Sequence, residues 1–236
     1  MRIVASVVGV VLATTLVAAQ SISLARADFP VEQGLYWDYS GIITRNVPGL
    51  VSLQTRAVSR RMEITEVIKR TWWITAAVLK GHPRDLTTFE PDTPPGDYLL
   101  VKVHLQKHYL LQGDRALAAA RRLRDTNDSL VDLVRESEVI LESPLFVGQR
   151  FCETAMLTRI DVQNCWFIDT ERNPSLESVP GLPPGWDGPE YELTYQSQSA
   201  SEVVGFAPGI GITSYDYART SDRSYVQLKL TALGRR

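Results

Sequence analysis

The sequence predicts an α+β fold that is mainly antiparallel β, a large curved sheet or half-barrel of about nine to eleven strands with one or two helices. Apolar and polar residues alternate with a period of two along most of the chain. Turns and loops rich in proline and glycine separate these segments. A doubly wound parallel sheet would need a helix between most strands, and the sequence offers few helix-forming segments.

The amino-terminal segment, residues 1–27, reads as a secretory signal peptide. An uncharged apolar run, residues 3–19, precedes the small-x-small site Ala25-Arg26-Ala27, which predicts a mature chain beginning at Asp28. Cleavage after Ala19, or retention of the segment as a membrane anchor, are the alternatives. No cysteine lies near the cleavage point, so we expect a non-lipoprotein.

Residues 28–236 are predicted to form a single β-rich domain located outside the cytoplasm, either secreted, periplasmic or associated with the cell surface. No later stretch is apolar enough for a stable membrane span after cleavage. The whole chain has a formal net charge of −2, and loss of the signal removes two arginines, which makes the product more acidic. A mildly acidic product gives no electrostatic reason to expect nucleic acid or an anionic membrane as partner.

The first half of the domain alternates between strands and turns. The pattern predicts a strand at 58–64 and another at 71–79, with a turn near Lys69-Arg70. Residues 81–97 form a loop because four prolines interrupt both helix and sheet. Residues 98–111 alternate again and are predicted to form a hairpin that turns near Gln106-Lys107.

A helical insertion is predicted at about 115–138. Residues 115–124 are the best local helix formers in the chain, and Asp128 resembles the cap of a second helix. A short strand at 139–141 follows. Residues 173–189 form a second loop rich in proline and glycine. The remaining strands are predicted in the four segments 191–196, 203–206, 210–217 and 225–233.

A nine-residue phrase occurs twice, as FPVEQGLYW at 29–37 and as SPLFVGQRF at 143–151. Both copies fit proline, aliphatic, two residues, glycine, two residues, aromatic. Gly34 and Gly148 permit a turn with positive φ, and the aromatic residue three positions later begins a strand. The phrase therefore predicts the start of a strand, used once in each half of the sheet.

These phrases, with VVGFAPGIGITSYDY and the terminal strand VQLKL, resemble uncharacterised exported bacterial proteins that begin FPL-x-x-G-x-x-W-x-Y and end APG-x-G-x-x-x-Y. Some relatives are similar to the half-barrel carriers of the LolA and LppX type, in which a curved antiparallel sheet wraps helices or an apolar ligand. The resemblance implies a half-barrel, a lipid or other apolar small molecule as ligand, and no catalytic residues. This chain lacks the lipid-attachment cysteine of the lipoprotein members.

The two cysteines, Cys152 and Cys165, are predicted to form a disulfide. An isolated pair in an exported chain oxidises. Closing a loop of about 14 residues stabilises the fold by ~3 kcal/mol in the chain-entropy model. Zinc would need more ligands than this segment offers.

Few residues suggest chemistry. His104 and His108 would lie ~13 Å apart on a continuous strand, too far to share an ion, and only a tight hairpin would bring them together as a polar site. Surface histidines are the simpler interpretation. The chain has no nucleophile elbow, P-loop or dinucleotide fingerprint, and no cofactor is expected.

Four aromatic residues are candidates for the lining of an apolar pocket, although the core of a large sheet is the simpler interpretation for each one. They are Trp37, Trp72, Trp166 and Tyr195.

We therefore expect an exported, non-catalytic β-rich protein that binds an apolar ligand inside its sheet or acts as a cell-envelope interaction module, with an envelope protein as partner. The alternative is an extracytoplasmic hydrolase whose site is built from scattered acids and histidines. A cavity of a few hundred Å³, on the order of other ligand sites, would favour carriage. A polar cleft around the two histidines would favour catalysis, and a filled core would favour interaction.

Overall fold

The computed structural model describes residues 28–47, 49, 52–104, 107–125, 137–152, 165–174, 176 and 178–236. The predicted signal segment and the helix start predicted at Asp128 lie outside these residues.

In the described residues, twelve strands form one antiparallel sheet. They are β1 (Leu35–Arg45), β2 (Gln54–Thr71), β3 (Ile74–Lys80), β4 (Asp97–Val103), β5 (Lys107–Gln112), β6 (Glu138–Glu142), β7 (Arg150–Cys152), β8 (Cys165–Arg172), β9 (Glu190–Gln196), β10 (Ala200–Ala207), β11 (Gly211–Arg219) and β12 (Tyr225–Arg235). A 3₁₀ helix, Pro83–Thr88, follows β3, and α1, Gly113–Arg124, follows β5.

The sheet curls into a nearly closed barrel. Every strand pairs with its sequence neighbours except that β6 does not pair with β7, and β1 also pairs with β12. The spatial order is therefore β6-β5-β4-β3-β2-β1-β12-β11-β10-β9-β8-β7. The two terminal strands, β6 and β7, approach each other, and we call the gap between them the seam. Gln149, just before β7, donates from Nε2 to the carbonyl of Glu142 on β6 at 2.9 Å. The predicted fold class is confirmed, with one strand more than the expected range.

The turn between β2 and β3 lies three residues later than predicted. β2 continues through Lys69-Arg70 to Thr71, and Trp72 and Trp73 form the turn. The Thr71 side-chain oxygen accepts from the backbone N–H of Trp73 at 3.3 Å and of Ile74 at 3.1 Å. This side chain satisfies backbone donors that the ladder leaves free, so the chain reverses after the threonine.

The inner face of the barrel carries a large aromatic core. Its largest fully buried side chains are Trp37, Tyr39, Tyr191, Tyr215 and Phe206. On the outside, α1 covers β4 and buries Ala116, Ala120 and Leu123 in a second cluster. Strands β4 and β5 are therefore buried on both faces, which is why their sequence reads as a nearly continuous apolar run.

The repeated phrase has the same structural role in both halves. Gly34 has φ +80° and donates its N–H to the carbonyl of Ile64 at 2.8 Å. Gly148 has φ +86° and donates to Ile168 at 2.8 Å. Each glycine thus reverses the chain against a neighbouring strand, and a strand begins within two residues.

Cys152 and Cys165 face each other across β7 and β8, with the sulfur atoms at disulfide distance, 2.13 Å. Arg150 lies over the pair, with Nε 3.2 Å from the sulfur of Cys152. The bridge joins the strand at the seam to the rest of the sheet.

Candidate functional site

The interior of the barrel contains an apolar cavity of about 30 Å³. A space of this size holds one or two water molecules. Its lining includes Phe29, Leu110, Leu141, Trp166 and Phe206. The cavity in this closed form is far smaller than the few hundred Å³ expected for a carrier.

The amino-terminal segment helps to fill the barrel. The ring of Phe29 lies 5.4 Å from that of Trp37 and 6.2 Å from that of Phe206, measured between centroids. Trp37 donates from Nε1 to the carbonyl of Ile210 at 2.6 Å. A segment that precedes the first strand is therefore part of the core.

A buried charged cluster borders the cavity. Arg84 donates to both carboxylate oxygens of Glu138, at 2.8 and 2.9 Å, and to both of Glu202, at 2.7 and 3.1 Å. Trp166 Nε1 also donates to Glu138, at 2.9 Å. All four carboxylate oxygens thus have a charged donor, which is the strong form of the hydrogen bond.

Local sequence places Arg84 at this point. Pro83 begins the 3₁₀ helix, as its fixed φ favours. The imidazole Nδ1 of His82 accepts the backbone N–H of Arg84 at 3.2 Å, which caps the helix. Arg84 then connects this helix to β6 beside the seam and to β10 across the interior.

The two carboxylates respond differently to the single guanidinium. Burial raises the pKa of Glu138, but the charge of Arg84 and the hydrogen bonds from Arg84 and Trp166 outweigh this and leave the pKa lowered. Burial raises the pKa of Glu202, and Arg84 does not fully offset it, partly because Glu138 adds a like charge. One arginine compensates one buried carboxylate well and the second incompletely.

The two predicted histidines lie in different environments. His108 on β5 is 0% exposed. It lies two residues before Leu110, which belongs to the interior cluster. Neither of its ring nitrogens has a hydrogen-bond partner among the described residues. His104 lies in the exposed turn after β4 and stacks on Trp73 at 4.6 Å. The hairpin does not bring the two rings together as a polar site.

Burial lowers the pKa of His108 to about 3, with the charge of Lys102 lowering it further and Asp28 opposing. The folded state therefore keeps this imidazole neutral while the unfolded state takes up a proton near pH 6.5. The stability contributed by the neutral ring is fully present above pH 6.5 and is lost as the pH falls towards 3.

We predict that His108→Leu makes the free energy of unfolding less dependent on pH between 6.5 and 3. The slope should fall by up to about 1.4 kcal/mol per pH unit, which corresponds to one proton taken up on unfolding. Urea titrations of the variant and of wild type at several pH values measure this slope. Equal slopes for His108→Leu and wild type would contradict this assignment.

The four aromatic candidates lie in different environments. Trp166 lines the cavity, and Tyr195 packs against it at 5.3 Å. Trp37 is 0% exposed in the adjoining core. The expectation for Trp72 was wrong, because it is 88% exposed in the β2–β3 turn. The displaced turn removes Trp72 from the strand whose alternation had placed it inside.

A concavity of about 870 Å³ lies on the outer face of β1 and β9–β12, and we call it the outer groove. Glu190 and Glu192 share one face of β9, as their spacing requires. Arg172 Nε donates to Glu190 at 2.9 Å, and its Nη1 lies 3.4 Å from Glu192. Thr213 donates its hydroxyl to Glu190 as well.

Small residues form the floor of the outer groove. A Cβ on Gly205 of β10 would lie 2.4 Å from the Glu190 carboxylate and 2.4 Å from the Ser214 hydroxyl, so the glycine leaves room for both side chains. Burial raises the pKa of Asp216, which faces the groove, with Lys229 opposing and Glu192 adding to the shift.

Within the described residues, no three or more His, Cys, Asp or Glu side chains are grouped to hold a metal ion. No helix in the part of the chain that the structure describes is long and apolar enough to cross a bilayer.

No family model and no curated protein matches the chain. Among solved structures, it is similar to a protein of Bacteroides fragilis with a YmcC-like fold, at 10% identity and a TM-score of 0.44, over 89% of this chain and 100% of that one. It is also similar to a domain of Vibrio parahaemolyticus named for outer membrane lipoprotein sorting, at 10% identity and a TM-score of 0.24, over 86% and 85% of the two chains. These similarities are too distant to assign a function.

Proposed function

We propose that this chain is a non-catalytic extracytoplasmic interaction module that contacts its partner through the outer groove. The supporting observation is the contrast between an interior with about 30 Å³ of free space and an outer groove of about 870 Å³. Ligand sites are typically about 300–1,000 Å³, so the outside of the barrel offers the room that the inside lacks. The signal-like first segment and the paired cysteines support the extracytoplasmic location.

The chemistry of the outer groove favours a polar partner. It presents cations, Arg172 and Lys229, beside carboxylates, Glu192 and Asp216. No aromatic ring lines it among the described residues, so the stacking surface of a typical sugar site is absent. Mixed charges that fix register and exclude wrong partners are typical of protein interfaces. The partner is therefore a polar surface of another envelope protein.

The arrangement of acids and histidines supports a non-catalytic role. His108 is enclosed, His104 is stacked on the half-buried Trp73, and Arg84 donates hydrogen bonds to the carboxylates beside it. A general acid and base must reach the same substrate, and these groups lie in different environments.

The test uses a photoreactive amino acid at Ser214, in the outer groove, in cells that export the protein. Ser201 on β10 is the matched control. It pairs with β9 on one side and with β11 on the other, and it lies outside the groove. We expect one discrete adduct from position 214 and none from 201, and we expect Asp216→Arg to abolish it by reversing a groove charge. No adduct at 214, or equal adducts at both positions, would overturn the proposal.

Carriage of an apolar ligand is the second candidate, favoured by the apolar lining of the cavity beside the seam. Separation of β6 from β7 would enlarge this space. Native mass spectrometry of protein purified from its own host tests it directly. A stoichiometric lipid adduct would favour carriage over interaction, whereas the bare polypeptide is the result that the filled core predicts.

A further inference from the structure

The β2–β3 turn carries the most exposed of the large apolar side chains in the described structure. Trp72 is 88% exposed. Its ring lies edge-on to His104 at 6.5 Å, and His104 stacks on Trp73. We call these three residues the aromatic tip. A tryptophan that is held outward by neighbouring rings contributes little to the core and is available for contact with another surface.

The fold brings basic residues from two segments together next to the aromatic tip. The carboxyl end of α1 packs beside the end of β2, where Arg70 Nη1 donates to the carbonyl of Leu123 at 3.3 Å. Segments 66–73 and 121–125 together carry five basic side chains, Lys69, Arg70, Arg121, Arg122 and Arg124, and two acidic ones, Glu66 and Asp125. Glu66 is bonded to Arg124 at 3.0 Å.

These two segments carry three more basic than acidic residues, whereas the whole chain has a formal net charge of −2. The basic residues come from two segments about fifty positions apart, and only the packing of α1 on β2 unites them. Net charge gave no reason to expect an anionic membrane, but a surface contact depends on the charges within about a Debye length, ~8–10 Å.

From this juxtaposition we propose that the aromatic tip and the basic residues of segments 66–73 and 121–125 form a docking surface for an anionic lipid bilayer. Tryptophan is enriched at membrane–water interfaces because its ring is amphipathic. Clustered lysine and arginine bind anionic headgroups. A protruding hairpin tip without a concavity fits an insertable surface better than a protein pocket. The inference goes beyond the outer groove and does not depend on it.

The experiment uses protein exported with its own amino-terminal segment, purified, and checked by mass so that all variants share one amino terminus. Flotation is measured with vesicles of phosphatidylcholine alone and of phosphatidylcholine with phosphatidylglycerol. We expect wild type to float with anionic vesicles, more weakly with neutral ones, and less as salt rises. Trp72→Ala should reduce the bound fraction about tenfold, because the inserted ring is lost.

Two further variants separate the contributions. Lys69→Glu with Arg121→Glu should abolish the preference for anionic vesicles while leaving Trp72 in place. Leu53→Ala is the matched control, since Leu53 is an exposed apolar residue at the opposite end of β2 and should bind like wild type. Failure of wild type to float, or equal flotation of Trp72→Ala and wild type, would overturn the proposal. A tip that binds a protein instead of a bilayer would produce the first of these outcomes.

Discussion

Replacing Arg84 by methionine should lower the free energy of unfolding by about 3–5 kcal/mol. The substitution leaves Glu138 and Glu202 without the guanidinium that donates to all four of their oxygens. Two buried carboxylates then face each other across the space that the charge occupied. The loss arises mainly from these unpaired charges, because breaking a buried ion pair costs more than the pair contributed.

Urea unfolding of wild type and variant measures this effect. Arg61→Met is the control, because the Arg61–Asp38 pair is largely exposed and should contribute about 0–1 kcal/mol. Adding Glu202→Gln to Arg84→Met should recover part of the loss by removing one orphaned charge. A loss for Arg84→Met no larger than that for Arg61→Met would show that the cluster does not stabilise the fold.

The raised pKa of Glu202 adds a pH dependence to this result. A carboxyl group with a raised folded pKa contributes stability that is fully present below its ordinary value of 4.5 and is lost as the pH rises through the folded pKa. Without Arg84 this shift becomes larger. The deficit of Arg84→Met should therefore shrink below about pH 4.5, where both carboxylates are neutral.

Trp37→Ala should lower the free energy of unfolding by about 3–5 kcal/mol, whereas the same substitution at Trp72 should change it by about 0.5 kcal/mol or less. Trp37 is fully buried, packs against Phe29, and donates to the carbonyl of Ile210. Its loss leaves a large cavity and an unpaired carbonyl. Trp72 is exposed and gives up little packing.

This matched pair of tryptophan variants is measured by urea unfolding, followed by far-ultraviolet circular dichroism. Trp37→Phe should retain part of the stability, because a ring still fills the site while the indole N–H is lost. Similar losses from Trp37→Ala and Trp72→Ala would contradict the burial of the one and the exposure of the other. Intact folding of Trp72→Ala also validates its use in the vesicle experiment.

The alternating pattern predicted the class of the fold because strand periodicity needs only local sequence. The turn at Trp72-Trp73 was missed because the Thr71 side chain, not the apolar pattern, decides where β2 ends. The sequence also did not show that β4 and β5 are buried on both faces, because this burial depends on α1 packing across them. His108 consequently read as a surface residue although it is inside.

The buried charged cluster left one signal in the sequence. Glu202 shares its parity on β10 with Val204 and Phe206, which face the interior, so a charge at that position already required a partner inside the barrel. Nothing local identified Arg84 as that partner, because it comes from a loop 118 residues away.

The sequence by itself determined the antiparallel sheet, the strand starts marked by Gly34 and Gly148, and the pairing of the two cysteines, because each depends on periodicity, on backbone conformation or on there being only two cysteines. Only the tertiary structure decided that the interior is filled, that Arg84 binds two carboxylates, and that the basic end of α1 packs beside the end of β2. Each of these depends on which distant segments the closing barrel brings into contact, and side-chain patterns along one strand carry no information about distances between strands that are far apart in the chain.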